Sequence, residues 1–284
     1  MFYSAVYRRI AAALLLLAAC TGCNSKASRR PLERVVLAPF DNLSDNPDWD
    51  WLGQAIPATL AMAPGTADRV LLPVGREEQN PLLRATQVVQ GYYTVAGNNV
   101  RLQAVLRDPQ SQKTLAVYEA QGAAADTGAL IGQIAAQMGL GNVPSIRAAG
   151  LEAYGNALRA PSPDAQLDGL RKSLAASPQF APAALLQARL LLTRGARDEA
   201  IAVLRATRAK AADPWSTSQL ELFEAQLSGD RQRHRAAMEA ALRVNPGQTD
   251  VMRPLASLLI LEGAYKPAAA WLEKAASLEP GLIE

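Results

Sequence analysis

Asp41, Asp45, Asp48 and Asp50 lie within ten positions of one another, in the stretch PFDNLSDNPDWDWLG at residues 39–53. Carboxylates so spaced can act as acid and base, or hold a hard cation. Either use requires further groups converging on them, and no histidine or cysteine lies nearby. The chain has one histidine, His234, so a Ser-His-Asp triad would have to use it, and no flanking motif supports one. Glycine-rich phosphate loops, HExxH and GxSxG are absent. Read locally, Asn46 is a good N-cap and Pro47 suits a first helical position. Asp48 and Asp50 then fall in a first helical turn, where the helix dipole favours each anion by about 0.3–1 kcal/mol. Trp51 and Leu52 would face a sheet, and Asp41 to Asp45 would form the turn after a strand. This structural reading is preferred over an enzyme using the Asp41–Asp50 carboxylates. No catalytic, cofactor-binding or metal residue is assigned, and no small-molecule substrate is expected.

The elements that would position this stretch follow from periodicity. RVVLAPF (34–40) and RVLLPV (69–74) are short apolar runs of strand type, and PDWDWLGQAIPATLAMA between them is helical in pattern, shortened or kinked at Pro57. NPLLRATQ (80–87) allows a second helix. VVQGYYTVAG, NVRLQAVLRD and TLAVYEAQ then read as three strands separated by Gly-Asn-Asn and Asp-Pro-Gln-Ser turns. In the middle strand Val100, Leu102, Ala104 and Leu106 alternate with polar residues, as in a half-buried antiparallel strand. DTGALIGQIAAQMG closes the region as a helix. The order β-α-β-α-β-β-β-α predicts a small mixed-sheet α/β domain over residues 33–142. VVLAPFDNLSDNPDWDWLGQAI together with VVQGYYTVAGNNVRLQAVLRDPQSQKTLAVYEA resembles the TolB amino-terminal-like domain, which is associated with protein contacts and not with catalysis. The β-propeller that follows that domain in TolB is absent, so TolB's own partners do not carry over.

The second half repeats. Pro144, Pro178, Pro246 and Pro280 fall on a 34-residue grid, as do Gly195, Gly229 and Gly263. Leu170, Leu204, Met238 and Leu272 make a column of large apolar residues; Ser173, Thr207, Ala241 and Ala275 make one of small residues. Glycine ends the first helix of each unit, proline closes the second, the large column fills the interface and the small one lets helices approach. These residues resemble tetratricopeptide repeats, covering 145–280 as four units (145–178, 179–212, 213–246, 247–280). Tyr154, Ala188, Leu222 and Ala256 stand where that family usually has a glycine, and Gln166 and His234 where it has an alanine. The resemblance implies an all-α solenoid that binds peptides or proteins in a concave groove lined by the first helix of each pair. Taken on the grid, Arg159, Arg189, Gln219, Phe223, Gln226, Arg253 and Ser257 would line that groove. Three arginines and no acid imply an acidic or carboxyl-terminal peptide anchored on Phe223, unless these arginines are only solvated helix-surface residues.

The first residues read MFYSAVYRRIAAALLLLAACTGC. Two arginines precede an apolar run too short to span a bilayer, which needs about 20 residues. Leu17-Ala18-Ala19-Cys20 resembles the bacterial lipobox, which implies a signal peptide over 1–19, a lipid anchor on Cys20 and a tether over 20–32. Cys23 is the alternative anchor. Thr21 after the anchor implies the outer membrane, facing the periplasm. With Arg8 and Arg9 removed, 27 basic and 26 acidic residues remain, so bulk charge provides no reason to bind nucleic acid. The expectation is a non-enzymatic, lipid-anchored envelope scaffold with protein or peptide partners; the alternative is a regulatory or sensory module.

Overall fold

The computed structural model describes residues 33–64, 69–73, 85–141, 143 and 146–279. Both cysteines, the leader and residues 80–84 of the expected second helix lie outside the described residues. The chain runs β1 (Glu33–Asn42), a 3-10 turn (Pro47–Trp49), α1 (Leu52–Leu60), β2 (Arg69–Pro73), β3 (Gln87–Ala96), β4 (Asn99–Arg107), β5 (Thr114–Ala123) and α2 (Thr127–Gln137). The sheet order is β2-β1-β3-β4-β5. β1 is parallel to both β2 and β3, and β3, β4 and β5 form an antiparallel meander. Alternation decides the buried face: β4 buries Val100, Leu102, Ala104 and Leu106. Leu52, Ala55, Ile56 and Leu60 of α1 and Leu130, Ile131 and Ile134 of α2 close over that face. Asn46 does cap a helix, accepting the Asp48 N–H at 2.9 Å, but the helix is the 3-10 turn. α1 starts later, at Leu52, with no side-chain cap.

Four helix pairs follow: α3 (Ala148–Leu158) with α4 (Pro163–Ala176), α5 (Ala181–Thr193) with α6 (Arg197–Arg208), α7 (Pro214–Ser228) with α8 (Arg231–Val244), and α9 (Thr249–Leu261) with α10 (Tyr265–Leu278). Gly195, Gly229 and Gly263 each take φ of 75–77° where the first helix of a pair ends, a conformation that costs a residue with a Cβ. Ser173, Thr207, Ala241 and Ala275 are all buried between helices. Leu170, Leu204 and Met238 are buried too, but Leu272, in the same column, is 41% exposed.

The hydrophobic core does not stop near residue 142, where two separate domains were expected to meet. One continuous cluster joins the sheet, α1 and α2 to Leu151, Tyr154 and Ala157 of α3, Leu170 of α4, and Phe180 and Ala183 at the start of α5. One close approach is at Gly155 of α3, where a Cβ would lie 2.6 Å from the Trp51 carbonyl oxygen and 2.8 Å from its ring. Polar contacts continue further along the solenoid. The Asn245 amide donates to the Pro64 carbonyl, and Arg34 of β1 lies 3.5 Å from Glu279 beyond α10. The α/β region therefore meets the first pair, the start of the second, and the ends of the third and fourth.

Candidate partner-binding face

Residues 34 apart occupy equivalent places in successive pairs. Gly155, Arg189, Phe223 and Ser257 form one such row, on α3, α5, α7 and α9. At Gly155 the row is covered by Trp51 and Ala55 of the α/β region. In the next two pairs it carries polar and aromatic chemistry. The Arg189 guanidinium carbon sits 5.9 Å from the centre of the Phe223 ring, within cation–π range. Ser257 is exposed and Gln226 is exposed on the last turn of α7. Gln219, one turn before Phe223, is half-buried, and its Nε2 is buried with no protein acceptor. One turn earlier again, Trp215 Nε1 is in the same condition. Trp215, Gln219 and Phe223, spaced four apart, thus place two donors and a ring along one side of α7. Both nitrogens are closed off from solvent, so they lie behind this side of the helix and not on its open surface.

Arg253 and Arg159, also expected in the groove, make ion pairs within the chain. Arg253 donates to Glu279 at 2.9 Å, and Thr249 donates to the same carboxylate at 2.7 Å. Arg159 lies 3.5 Å from Asp50. Of the seven expected groove residues, the structure brings Arg189 together with Phe223, and sets Gln219 one turn along the same helix. Arg159 and Arg253 instead tie the solenoid to the α/β region and to its own end.

The Arg159 contact also accounts for part of the aspartate stretch. Asp50 is half-buried, accepts from the Asn42 amide at 2.9 Å, and faces Arg159 across the two regions. Asp41, Asp45 and Asp48 point to solvent. Beside them Tyr93 donates to the Trp49 carbonyl at 2.9 Å. Burial, with the nearby Asp50 charge, pushes the Tyr93 phenol up to about 12. Among the described residues, no three histidine, cysteine, aspartate or glutamate side chains group closely enough to hold a metal. His234 is half-buried on α8, and burial lowers its pKa.

A buried carboxylate anchors the middle of the solenoid. Glu224 of α7 has a side chain only 1% exposed and meets Arg205 at 2.7 Å, Arg233 at 2.6 Å and Arg208 at 3.3 Å. Burial alone would raise its pKa, but hydrogen bonds from Arg205 and Arg233, with the charges of Arg233 and Arg208, hold it below the usual glutamate value. This cluster links α6, α7 and α8 and rests on three arginines around one acid.

No known family's sequence profile matches the chain, and no curated protein does. Among solved structures, the chain is similar to a crystal structure of MamA protein, 18% identical over 47% of this chain and 73% of that one, with a TM-score of 0.39. It is similar also to MamA from residue 41 to its end from Desulfovibrio magneticus RS-1, 19% identical over 48% of this chain and 78% of that one, with a TM-score of 0.38. With scores this low the likeness adds nothing to the architecture, which rests on the chain's own sheet and helix pairs.

Proposed function

We propose that this chain is a non-enzymatic, lipid-anchored scaffold of the cell envelope that binds another protein on the inner side of its second and third helix pairs. The supporting observation is the row shared by α5 and α7, where the Arg189 guanidinium stands over the partly exposed Phe223 ring. The aromatic ring and guanidinium suit an apolar side chain beside a carboxylate. The partner is therefore a peptide segment carrying an acidic residue next to an apolar one. The α/β region, TolB-like in its sequence, covers the first pair and restricts the face to the later ones. Export and anchoring rest on the leader and on Cys20 within Leu17-Ala18-Ala19-Cys20, and Thr21 favours the outer membrane, facing the periplasm.

The test is capture of partners from crosslinked membranes by the wild-type chain and by Arg189→Glu with Phe223→Ala. Each of these residues is at least partly exposed, so the folded repeat should survive, with helical circular dichroism and melting temperature as controls. Capture of a specific partner should fall by about tenfold or more, as at an interface hot spot. A folded double variant that captures every partner as well as wild type refutes the assignment of this face.

A further inference from the structure

α10 presents a stripe to solvent at the end of the solenoid. Tyr265 is 68% exposed, Leu272 is 41% exposed, Ala269 is exposed and Ala276 half-buried. They fall at spacings of four, three and four, one face of a helix, while Ala268 and Ala275 pack the neighbouring face against α9. Ile260, 44% exposed, and Leu261, 76% exposed, lie just before, at the end of α9. In the preceding pairs the Leu272 column is covered by the next helix: Leu204 of α6, for example, shares a buried cluster with Leu220 of α7. The stripe alternates large and small: Tyr265, Ala269, Leu272, Ala276.

We infer that this face of α10 docks on the same face of a second copy of the chain, antiparallel and related by a two-fold axis. That pairing sets Tyr265 opposite the second copy's Ala276 and Ala269 opposite its Leu272, so every large side chain meets a small one and each contact occurs twice. The flanking charges fit the same arrangement. Lys266 and Glu273 lie seven apart on one flank of the stripe, both are exposed, and neither has an ion-pair partner among the described residues. In an antiparallel two-fold pair, flank meets flank, and Lys266 of each copy comes within reach of Glu273 of the other. Lys274 is placed differently, over its own Trp271 ring at 5.2 Å. Head-to-tail stacking onto α3 fits less well. There Glu152 stands in the column of Leu186 and Leu220, with Asn156 and Arg159 beside it, giving the polar outer face of a terminal repeat. Leu272 of one copy would then meet Glu152 of the next.

The experiment measures the mass of the full chain by light scattering in a non-ionic detergent, with the detergent contribution subtracted, from about 1 to 100 µM, the range of a modest protein association. Wild type should move from one chain to two with concentration. Leu272→Glu should remain a single chain, with the melting temperature that wild type shows at about 1 µM, where it too is single, because the side chain is exposed. Lys266→Glu and Glu273→Lys should each weaken the dimer by about tenfold, and the double reversal Lys266→Glu with Glu273→Lys should restore it. A wild-type chain that stays single throughout overturns the inference. So does a dimer that survives Leu272→Glu, or a double reversal no tighter than either single change.

Discussion

Replacing Gly155 by alanine tests whether the α/β region and the solenoid share a core. The added Cβ would stand 2.6 Å from the Trp51 carbonyl oxygen, 2.8 Å from Trp51 Cε3 and 3.1 Å from the Ala55 Cβ. The first of these is backbone and cannot rotate away, so α1 and α3 must separate. Overpacking of this kind costs about 1–3 kcal/mol. Against it stands the gain of about 1 kcal/mol that alanine brings over glycine inside a helix. The net expectation is a loss of about 1 kcal/mol, or roughly 2–4 °C in melting temperature for a chain of this size. Gly132 of α2 supplies the control, because a Cβ there meets nothing within 4 Å. Gly132→Ala should raise the melting temperature by a similar amount. Thermal unfolding followed by circular dichroism, with tryptophan emission reporting on Trp51, measures both. If Gly155→Ala is as stabilising as Gly132→Ala, α1 does not rest on α3 and the shared core is refuted.

Glu224→Gln should lower stability by about 1.5–3 kcal/mol at neutral pH, the worth of a hydrogen bond to a charged group. Because the folded glutamate pKa is depressed, that contribution is present above the unfolded value and is lost as pH falls through the folded one, so urea titrations of variant and wild type should converge in acid. Tyr93 works in the opposite direction: its phenol moves from 10.0 up to about 12 on folding, so its contribution is intact below the lower value and lost as pH rises toward the upper. Tyr93→Phe should remove that alkaline sensitivity and, through the lost bond to the Trp49 carbonyl, cost about 0.5–1.5 kcal/mol below it. Cys20→Ser should abolish labelling by a palmitate analogue in cells; equal labelling of this variant and wild type would move the anchor to Cys23 or remove it.

Much of the helical half was legible because a solenoid makes each unit contact only its neighbours, so the constraints on it are local and recur at a fixed interval. Gly195, Gly229 and Gly263 could be placed at helix ends because each needs a left-handed backbone, which depends on one residue alone. Ser173, Thr207, Ala241 and Ala275 could be read as close-approach positions for the same reason. The meander was legible through the alternation in β4. The start of α1 was not: a 3-10 turn and an α-helix share the same cap chemistry at Asn46, and only packing over the sheet separates them.

The candidate face was legible as a row but not as an environment. Spacing alone put Arg189, Phe223 and Ser257 in line, since a 34-residue period fixes which residues are equivalent. It could not show that Arg253 is committed to Glu279 or Arg159 to Asp50, because those partners lie 26 and 109 positions away in sequence. The four aspartates illustrate the division most directly. Their residue types and neighbours were enough to argue for a turn after a strand and an Asn46 cap, but not for Asp41 remaining in β1 or for the cap opening a 3-10 turn in place of the α-helix. Only the tertiary structure singled out Asp50, by bringing α3 of the solenoid across to it, since an ion pair between distant segments depends on how two folded regions dock and leaves no periodic trace in the chain.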